Sequence, residues 1–435
     1  MNNKTIAVVL AGGSGKRWWP LTTYKTLVSF MGKTVLELTL QRLARAGLTE
    51  AVIVTSPDNQ KEIEKIAVAG MKTYVAVQKD ANGMGGAMLI AKEHIKGRPI
   101  FVVNVGDLVD EKYYDDLKIA LAKGKPFIAG IKIEEYFDAG YLKLNGDKVV
   151  EIVEKPGEGN EPSDYVDLVF DFFPNADLLL QALENVSSQQ DDVFERALST
   201  LLVKEEFGVV KYDGYWVPMK FPWHILDYMS HTMSYLQEHR GRNLVIKQNV
   251  IIEGPVWIGD NVKIFENTKI VGPCYIGNNT IIGNNNIIRE SHIGANCVTG
   301  FNTDITRSYV GDNCWFHSNY IGDSVLEGNI SLGSGTVLAN LRLDEGDIYS
   351  VVKGERINTK RNKLGAIIAK NVRVGVNTSI MPGVKIGTNS FIGAGIVVDH
   401  DIAENSFCSG KTELVTKPND RSIAEGARDA FRMKI

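Results

Sequence analysis

From Ile246 to Ile288 the chain reads IKQNVIIEGPVWIGDNVKIFENTKIVGPCYIGNNTIIGNNNII. Ile246, Ile252, Ile258, Ile264, Ile270, Ile276, Ile282 and Ile288 recur every six residues without a miss. Four positions after each of the first six stands a small or β-branched residue: Val250, Val256, Val262, Thr268, Cys274 and Thr280. The period returns at Ile368, Val374, Ile380, Ile386, Ile392 and Val398. Such a repeat predicts one short strand per hexapeptide, coiled into a parallel β-helix around an aliphatic column. Cys274, Cys297 and Cys314 occupy the small-residue slot and read as core packing rather than chemistry.

Working outward, Leu341–Gly365 breaks the hexad with many charges and little apolar pattern, which predicts a functional loop thrown out from the coils. The tail beyond Ser409 predicts a helix over Ser422–Met433, and Trp223–Arg240 predicts a helix closed by Gly241. Upstream the pattern alternates. Ile6–Leu10, Ala51–Thr55, Lys72–Val77, Pro99–Val105 and Pro126–Ile133 are apolar strands, with amphipathic helices such as Val35–Ala46 and Met84–His94 between them. That alternation predicts an α/β, Rossmann-like domain on a mostly parallel mixed sheet, with ligands at the carboxyl ends of its strands. The expected division is 1–235 for this domain, 236–243 for the end of a helical linker, 244–408 for the β-helix and 409–435 for the tail.

Bulk properties exclude other classes. A chain of 435 residues with 44% hydrophobic content can bury two real cores. A net charge of −4 gives no electrostatic footprint for nucleic acid. The four cysteines form no CxxC pair, no signal pattern opens the chain, and no apolar run is long enough to span a bilayer. The expectation is a cytoplasmic protein with neither nucleic acid nor membrane as partner.

At the end of the first strand lies AGGSGKRWWPLTTYK, Ala11 to Lys25. It is neither a Walker A loop nor a dinucleotide fingerprint. Gly12, Gly13 and Gly15 let the backbone turn tightly so that several N–H groups can converge on an anion, which Arg17 and Lys25 can neutralise. This stretch resembles the nucleotide-binding signature of sugar-1-phosphate nucleotidylyltransferases. Further motifs follow in that family's order: QKDANGMGGAMLIA (Gln78–Ala91), VVNVGD (Val102–Asp107), GYLKL with IVEKP (Gly140–Pro156), and YWVPMKFPW (Tyr215–Trp223).

The resemblance implies attack of a sugar-1-phosphate oxygen on the α-phosphorus of UTP or dTTP. Gly12, Gly13, Gly15 and Arg17 would hold the triphosphate, and Lys25 would bridge the reacting phosphates. Asp107 would ligate Mg²⁺. Gln78 would meet the base with Gly83 allowing its approach; in the sugar and sugar-phosphate segment that Gly140 opens, Glu154 would accept sugar hydroxyls and Lys155 would meet the sugar phosphate. The chain departs from the pattern at Lys16, at Tyr24-Lys25 in place of Pro-Lys, and at Pro218, where the family's second metal aspartate stands. A carboxylate from elsewhere, or Lys220 as a substitute cation, are the open alternatives.

The segment HSNYIGDSVLEGNISLGSGTVLANLR (His317–Arg342) resembles the acetyltransferase half of the bifunctional enzymes that make UDP-N-acetylglucosamine. It implies acetyl-CoA as co-substrate, His317 as general base, and Tyr320 and Asn340 as substrate contacts. Lys360 and Lys363 resemble a basic segment closing a neighbouring subunit's site, which implies a homotrimer or higher homo-oligomer. Thr306, beside Arg307, stands where the bacterial pattern has a phosphate-binding lysine, and Ser331 replaces an asparagine. The alternative reading is a regulatory or assembly protein whose degenerate site binds sugar nucleotide without turnover.

Overall fold

A computed structural model describes residues 5–411 apart from 14, 16, 81 and 189–191, and in the tail 413, 415–422, 426 and 432. Lys16 and most of the helix expected over Ser422–Met433 lie outside the described residues. Ile6–Leu10 is a buried interior strand of a ten-stranded mixed sheet, third from one edge. Parallel strands Glu50–Thr55 and Ile100–Asn104 flank it, and Lys72–Val77 extends the parallel part. Beyond Ile100–Asn104 the sheet turns antiparallel at Phe170–Phe173, so the parallel run is four strands and the remainder is mixed. Apolar residues on both faces of the central strands, Ala7 and Val9 on one side and Ile6 and Val8 on the other, feed two separate cores.

The second half is a solenoid of two- and three-residue parallel strands in three columns. Each strand pairs with the one a full coil away, as in Ile258 with Ile276 and Ile270 with Ile288. Ile258, Ile264, Ile270, Ile276, Ile282 and Ile288 have no solvent exposure, and Cys274, Cys297 and Cys314 fill the slots between them. Ile246 begins the period yet is 44% exposed, because its strand is stacked only on the coil that follows. At the corners, Asn243, Asn261, Asn279, Asn296 and Asn313 hold the left-handed conformation that asparagine tolerates. Their side-chain amides bond from coil to coil: Asn261 donates to Asn279 at 2.9 Å, and Asn279 to Asn296 at 3.1 Å.

Two expectations are corrected. The helix read as Trp223–Arg240 spans only His224–Ser234; His239–Arg240 already pairs with Trp257–Ile258 as the first solenoid strand, so Gly241 closes no helix. The apolar spacing of Tyr228, Met229, Thr232 and Met233 ends there, and the chain is claimed by the stacking partner instead. The supposed loop Leu341–Gly365 carries a hairpin, Tyr349–Val352 against Glu355–Asn358. Buried Ile348 and Leu364 belong to the core of the N-terminal half, and Arg361 pairs with Asp227 at 2.5 Å. Its few apolar residues therefore dock an arm rather than continue a coil. Among the described residues no helix is long and apolar enough to cross a membrane.

The two halves share one core. Phe30, 1% exposed, stacks on Tyr228 with centroids 4.7 Å apart and leans on Tyr309 at 5.5 Å. His239, Trp257, Tyr275, His292 and Tyr309 form a stacked ladder up this face at 4.7–4.9 Å spacing.

The corner ladder predicts an order of thermal stability. Asn279→Ala loses two side-chain bonds and places an unsupported side chain in the left-handed region, a penalty of roughly 1–2 kcal/mol. Asn279→Gly loses the bonds but relieves the backbone. Melting temperatures should fall in the order wild type, Asn279→Gly, Asn279→Ala; an inverted order of the two variants would refute the backbone argument.

Candidate active sites

Where Ile6–Leu10 ends, the chain turns over the sheet's carboxyl edge and walls a cleft of about 480 Å³. Gly13, Gly15, Arg17, Lys25, Asp107, Gly140 and Glu154 all line it, so residues spread over 140 positions converge there. Gly15 has φ +60°, and a Cβ at Gly12 would press on Gln78 Oε1 and Thr55 at 3.4 Å. Gly13 is different: a Cβ there would meet no protein atom within 4 Å.

Three cations, Arg17, Lys25 and Lys220, line the cleft together with five carboxyl groups, Asp107, Asp138, Glu154, Asp167 and Glu195. Burial first and the Arg17 guanidinium second lower the Lys25 ammonium to about 8. The same two causes lower Lys220 to about 7. Lys220 Nζ donates to Asp138 O at 2.6 Å and lies 3.3 Å from the Phe137 ring centroid, while Lys25 Nζ donates to Lys220 O at 3.4 Å. Ammonium groups pushed down by burial and by a neighbouring guanidinium would have their charged form restored by a bound polyanion.

Asp107 faces them. Burial raises its carboxyl to about 6 against the hydrogen bonds that support the charged form. Trp216 Nε1 donates to Oδ1 at 2.9 Å and Asn104 Nδ2 to Oδ2 at 2.5 Å. Strand Asp107–Val109 pairs antiparallel with Trp216–Pro218, and Pro218 falls directly opposite Asp107. The position where the sequence resemblance expects a second metal carboxylate thus lies beside Asp107, and Lys220 enters the cleft two residues on. Among the described residues no group of three or more His, Cys, Asp or Glu side chains forms a metal cage. The donor set fits a hard ion such as Mg²⁺ held by one carboxylate and by substrate phosphates, since Asp107 keeps lone pairs beyond its two bonds.

The base-reading and sugar positions are placed less uniformly. Gln78, expected to meet the base, sits behind Gly12, and its Nε2 already donates to Asn82 Oδ1 at 2.6 Å and Gly83 O at 3.1 Å. Reading a base edge with that amide N–H would require exchanging those bonds. Gly83, at φ +70°, opens the helix Gly83–Ile90. Gly140 pairs with Glu154 across two strands, and a Cβ on it would lie 3.4 Å from Glu154 Oε2. Lys155 Nζ is ion-paired to Glu154.

Around the cleft, sequence reasoning passed over Asp167 and His224. Asp167 lines the cleft half-buried, its carboxyl pushed up by burial, near the fully buried Asp171. The signal was two acids in the apolar run Tyr165–Phe173. His224, held neutral by burial at about 4, puts Nδ1 2.5 Å from Pro218 O and 3.2 Å from Lys220 N, shaping the turn that delivers Lys220.

On the solenoid, Tyr320 and Asn340 come together: Tyr320 OH donates to Asn340 Oδ1 at 3.3 Å. Asn340 Nδ2 donates to Asp323 Oδ2 at 2.5 Å, and buried Asp323 accepts both Nε and Nη2 of Arg307 at 2.8 Å. Asp323, the organiser of this network, was not singled out by sequence. Thr306 is buried and accepts from Arg307 Nη1 at 3.2 Å. His317 is exposed, on the turn three residues before Tyr320. Lys360 is ion-paired to Glu135 of the same chain, and exposed Lys363 forms an antiparallel bridge with Leu341.

Residues 6–217 match the family described as Nucleotidyl transferase, and residues 255–290 match Bacterial transferase hexapeptide (six repeats). The chain is 32% identical over 412 residues to the "Bifunctional sugar-1-phosphate nucleotidylyltransferase/acetyltransferase" of Sulfurisphaera tokodaii, covering 92% of this chain and 99% of that protein. It is 30% identical over 422 residues to the "Bifunctional protein GlmU" of Methanococcus vannielii, covering 94% and 99%. Among solved structures, a UDP-glucose pyrophosphorylase complexed with UDP-glucose aligns with a TM-score of 0.46 at 16% identity, over 53% of this chain and 98% of its own.

Because the protein itself leaves room at Gly13, Gly13→Ala should keep the wild-type melting temperature yet weaken binding of inorganic triphosphate at least tenfold in titration calorimetry. Unchanged affinity would show that the anion does not approach this turn.

Proposed function

The chain belongs to the family of bifunctional sugar-1-phosphate nucleotidylyltransferase/acetyltransferases, and from that membership we propose that it joins UTP or dTTP to a hexose-1-phosphate, releasing pyrophosphate. A second site in the solenoid would acetylate the amine of an amino-sugar-1-phosphate from acetyl-CoA. The observation that carries the first activity is the convergence of Arg17, Lys25 and Lys220 beside Asp107 at the strand ends.

In the transferase, a phosphate oxygen of the sugar-1-phosphate forms the new bond to the α-phosphorus, and the α–β bridging oxygen leaves with its electron pair as pyrophosphate. Two anions must meet, so neutralisation and alignment matter more than a base. The turn Gly12–Gly15 and Arg17 hold the triphosphate, and Lys25 lies between the reacting phosphates. Glu154 accepts sugar hydroxyls and Lys155 meets the sugar's phosphate. Asp107 would hold Mg²⁺, which when bound supplies further neutralisation of the phosphate oxygens. Lys220 contributes positive charge where Pro218 leaves the second carboxylate out.

In the solenoid, the His317 imidazole takes a proton from the sugar amine as nitrogen attacks the thioester carbonyl; the C–S bond breaks and coenzyme A leaves as the thiol. The Arg307–Asp323–Asn340–Tyr320 chain holds Tyr320 and Asn340 for the sugar phosphate. One solenoid face is covered by the catalytic half; Ile251, Ile287, Trp315, Phe391 and Val397 are exposed on the other two, which supports a homotrimer through the solenoid. Pro218 favours a second reading, sugar-nucleotide binding without turnover.

Pyrophosphate release with UTP, dTTP, GTP and ATP against several sugar-1-phosphates separates the readings: turnover with UTP or dTTP is expected, and binding without turnover for every pair would establish the second. Asp107→Ala should cost at least tenfold in kcat/KM, and near-wild-type turnover would remove its metal role. Thiol release from acetyl-CoA with glucosamine-1-phosphate should vanish in His317→Ala while pyrophosphate release persists; surviving thiol release would mean another base.

A further inference from the structure

The segment from Trp19 to Met31, which ends the phosphate turn and delivers Lys25, lies lengthwise along one solenoid face. Its contacts step down the coils in order. Trp19 Nε1 donates to Glu404 Oε2 at 3.2 Å, with the Lys385 ammonium 5.1 Å from its ring centroid. Next, Glu327 Oε1 accepts from Thr22 N at 2.9 Å, Thr22 Oγ1 at 2.9 Å and Thr23 N at 2.5 Å. Then Ser29 O accepts from Tyr309 OH at 2.9 Å, and Met31 N donates to His292 Nε2 at 3.2 Å. The partners run 404, 385, 327, 309, 292 as the segment runs 19 to 31.

Glu327 is the strongest of these ties. One carboxylate oxygen takes three donors from the segment, and the other takes the Lys370 N–H at 2.9 Å, anchoring the side chain across two coils. Bonds from N–H groups to an ionised carboxylate are roughly twice as strong as neutral ones. Thr23 is two residues before Lys25, and no regular element intervenes: Tyr24 precedes a single 3₁₀ turn, Lys25–Leu27. The place of Lys25 in the cleft is therefore set by what holds Thr22 and Thr23.

We propose that Glu327, a solenoid residue, is a positioning residue for nucleotidyl transfer: by fixing Thr22 and Thr23 it places Lys25, so the β-helix forms part of the transferase site as well as carrying its own. This rests on the reading of the cleft as the nucleotidyl-transfer site. It gives the covered solenoid face a task distinct from oligomerisation and from acetyl transfer.

The test uses the full chain and the variants Glu327→Ala and Glu327→Gln. Amide hydrogen exchange over residues 19–26, without nucleotide, should quicken at least tenfold in Glu327→Ala and less in Glu327→Gln, which keeps one acceptor oxygen. KM for the nucleoside triphosphate should rise at least tenfold in Glu327→Ala with partial rescue by Glu327→Gln, while thiol release at the solenoid site stays at the wild-type rate. Unchanged exchange overturns the clamp. Faster exchange with wild-type KM and kcat overturns the positioning role, as does a lowered melting temperature with unaltered kinetics. Should the wild-type chain release no pyrophosphate with any pair, the cleft reading itself falls, and titration calorimetry with UTP then decides the clamp: equal affinity in wild type and Glu327→Ala overturns it.

Discussion

Phe30 sits where three parts of the molecule meet. Its ring stacks on Tyr228 of the helix that leaves the catalytic half and leans on Tyr309 and His292 of the solenoid ladder. Stacked and tilted aromatic contacts of this kind add to simple area burial, and the ring is withdrawn almost wholly from water. The contact constrains everything upstream. With Phe30 held, the preceding segment runs along the solenoid, and the phosphate turn at its far end meets coils 305 and 385 residues later in sequence. The arm at Tyr349–Asn358 closes the same seam from the other side through Ile348, Leu364 and the Arg361–Asp227 pair.

This arrangement matters for the chemistry because buried charges of both signs meet in the cleft. Lys25 and Lys220 are lowered toward neutrality by burial and by Arg17, and Asp107 lies opposite Pro218 across the strand pair. Ammonium groups left free to swing would separate into solvent. Anchored backbone keeps them together: Lys220 by its bond to Asp138 O and the turn around His224, Lys25 by the segment docked on the solenoid. A site of this kind spends folding stability on holding like charges close, and recovers it when a polyanion enters.

Much of this was legible in the sequence. The hexad period identified the solenoid because a six-residue strand unit leaves one core position per strand, and the cysteines fell in their slots as expected. The glycines and cations of Ala11–Lys25 led to the cleft, where most of the residues named from the motifs converge. Other features were present but not read. The ladder residues His239, Trp257, Tyr275, His292 and Tyr309 recur at intervals of 18 and 17, the last four each just before a core position, an aromatic period that pointed to a covered face. Asp167 and Asp171 were acids in an apolar strand run. The end of the helix at Ser234 and the folded arm were misjudged for a common reason: both segments are shaped by what they pack against, and their local pattern is weak.

By itself the sequence determined the two architectures, the phosphate turn and the kinds of chemistry its side chains can perform, because periodicity and residue type act locally. Only the tertiary structure decided that Pro218 faces Asp107, that Gln78 spends its amide N–H on Asn82 and Gly83, and that Asp323 organises Tyr320 and Asn340. It alone tied Thr22 and Thr23 to Glu327. Pairings between residues 5 positions apart are matters of turn chemistry; those between residues 305 apart exist only once two cores have merged, and nothing in the local pattern of either partner announces them.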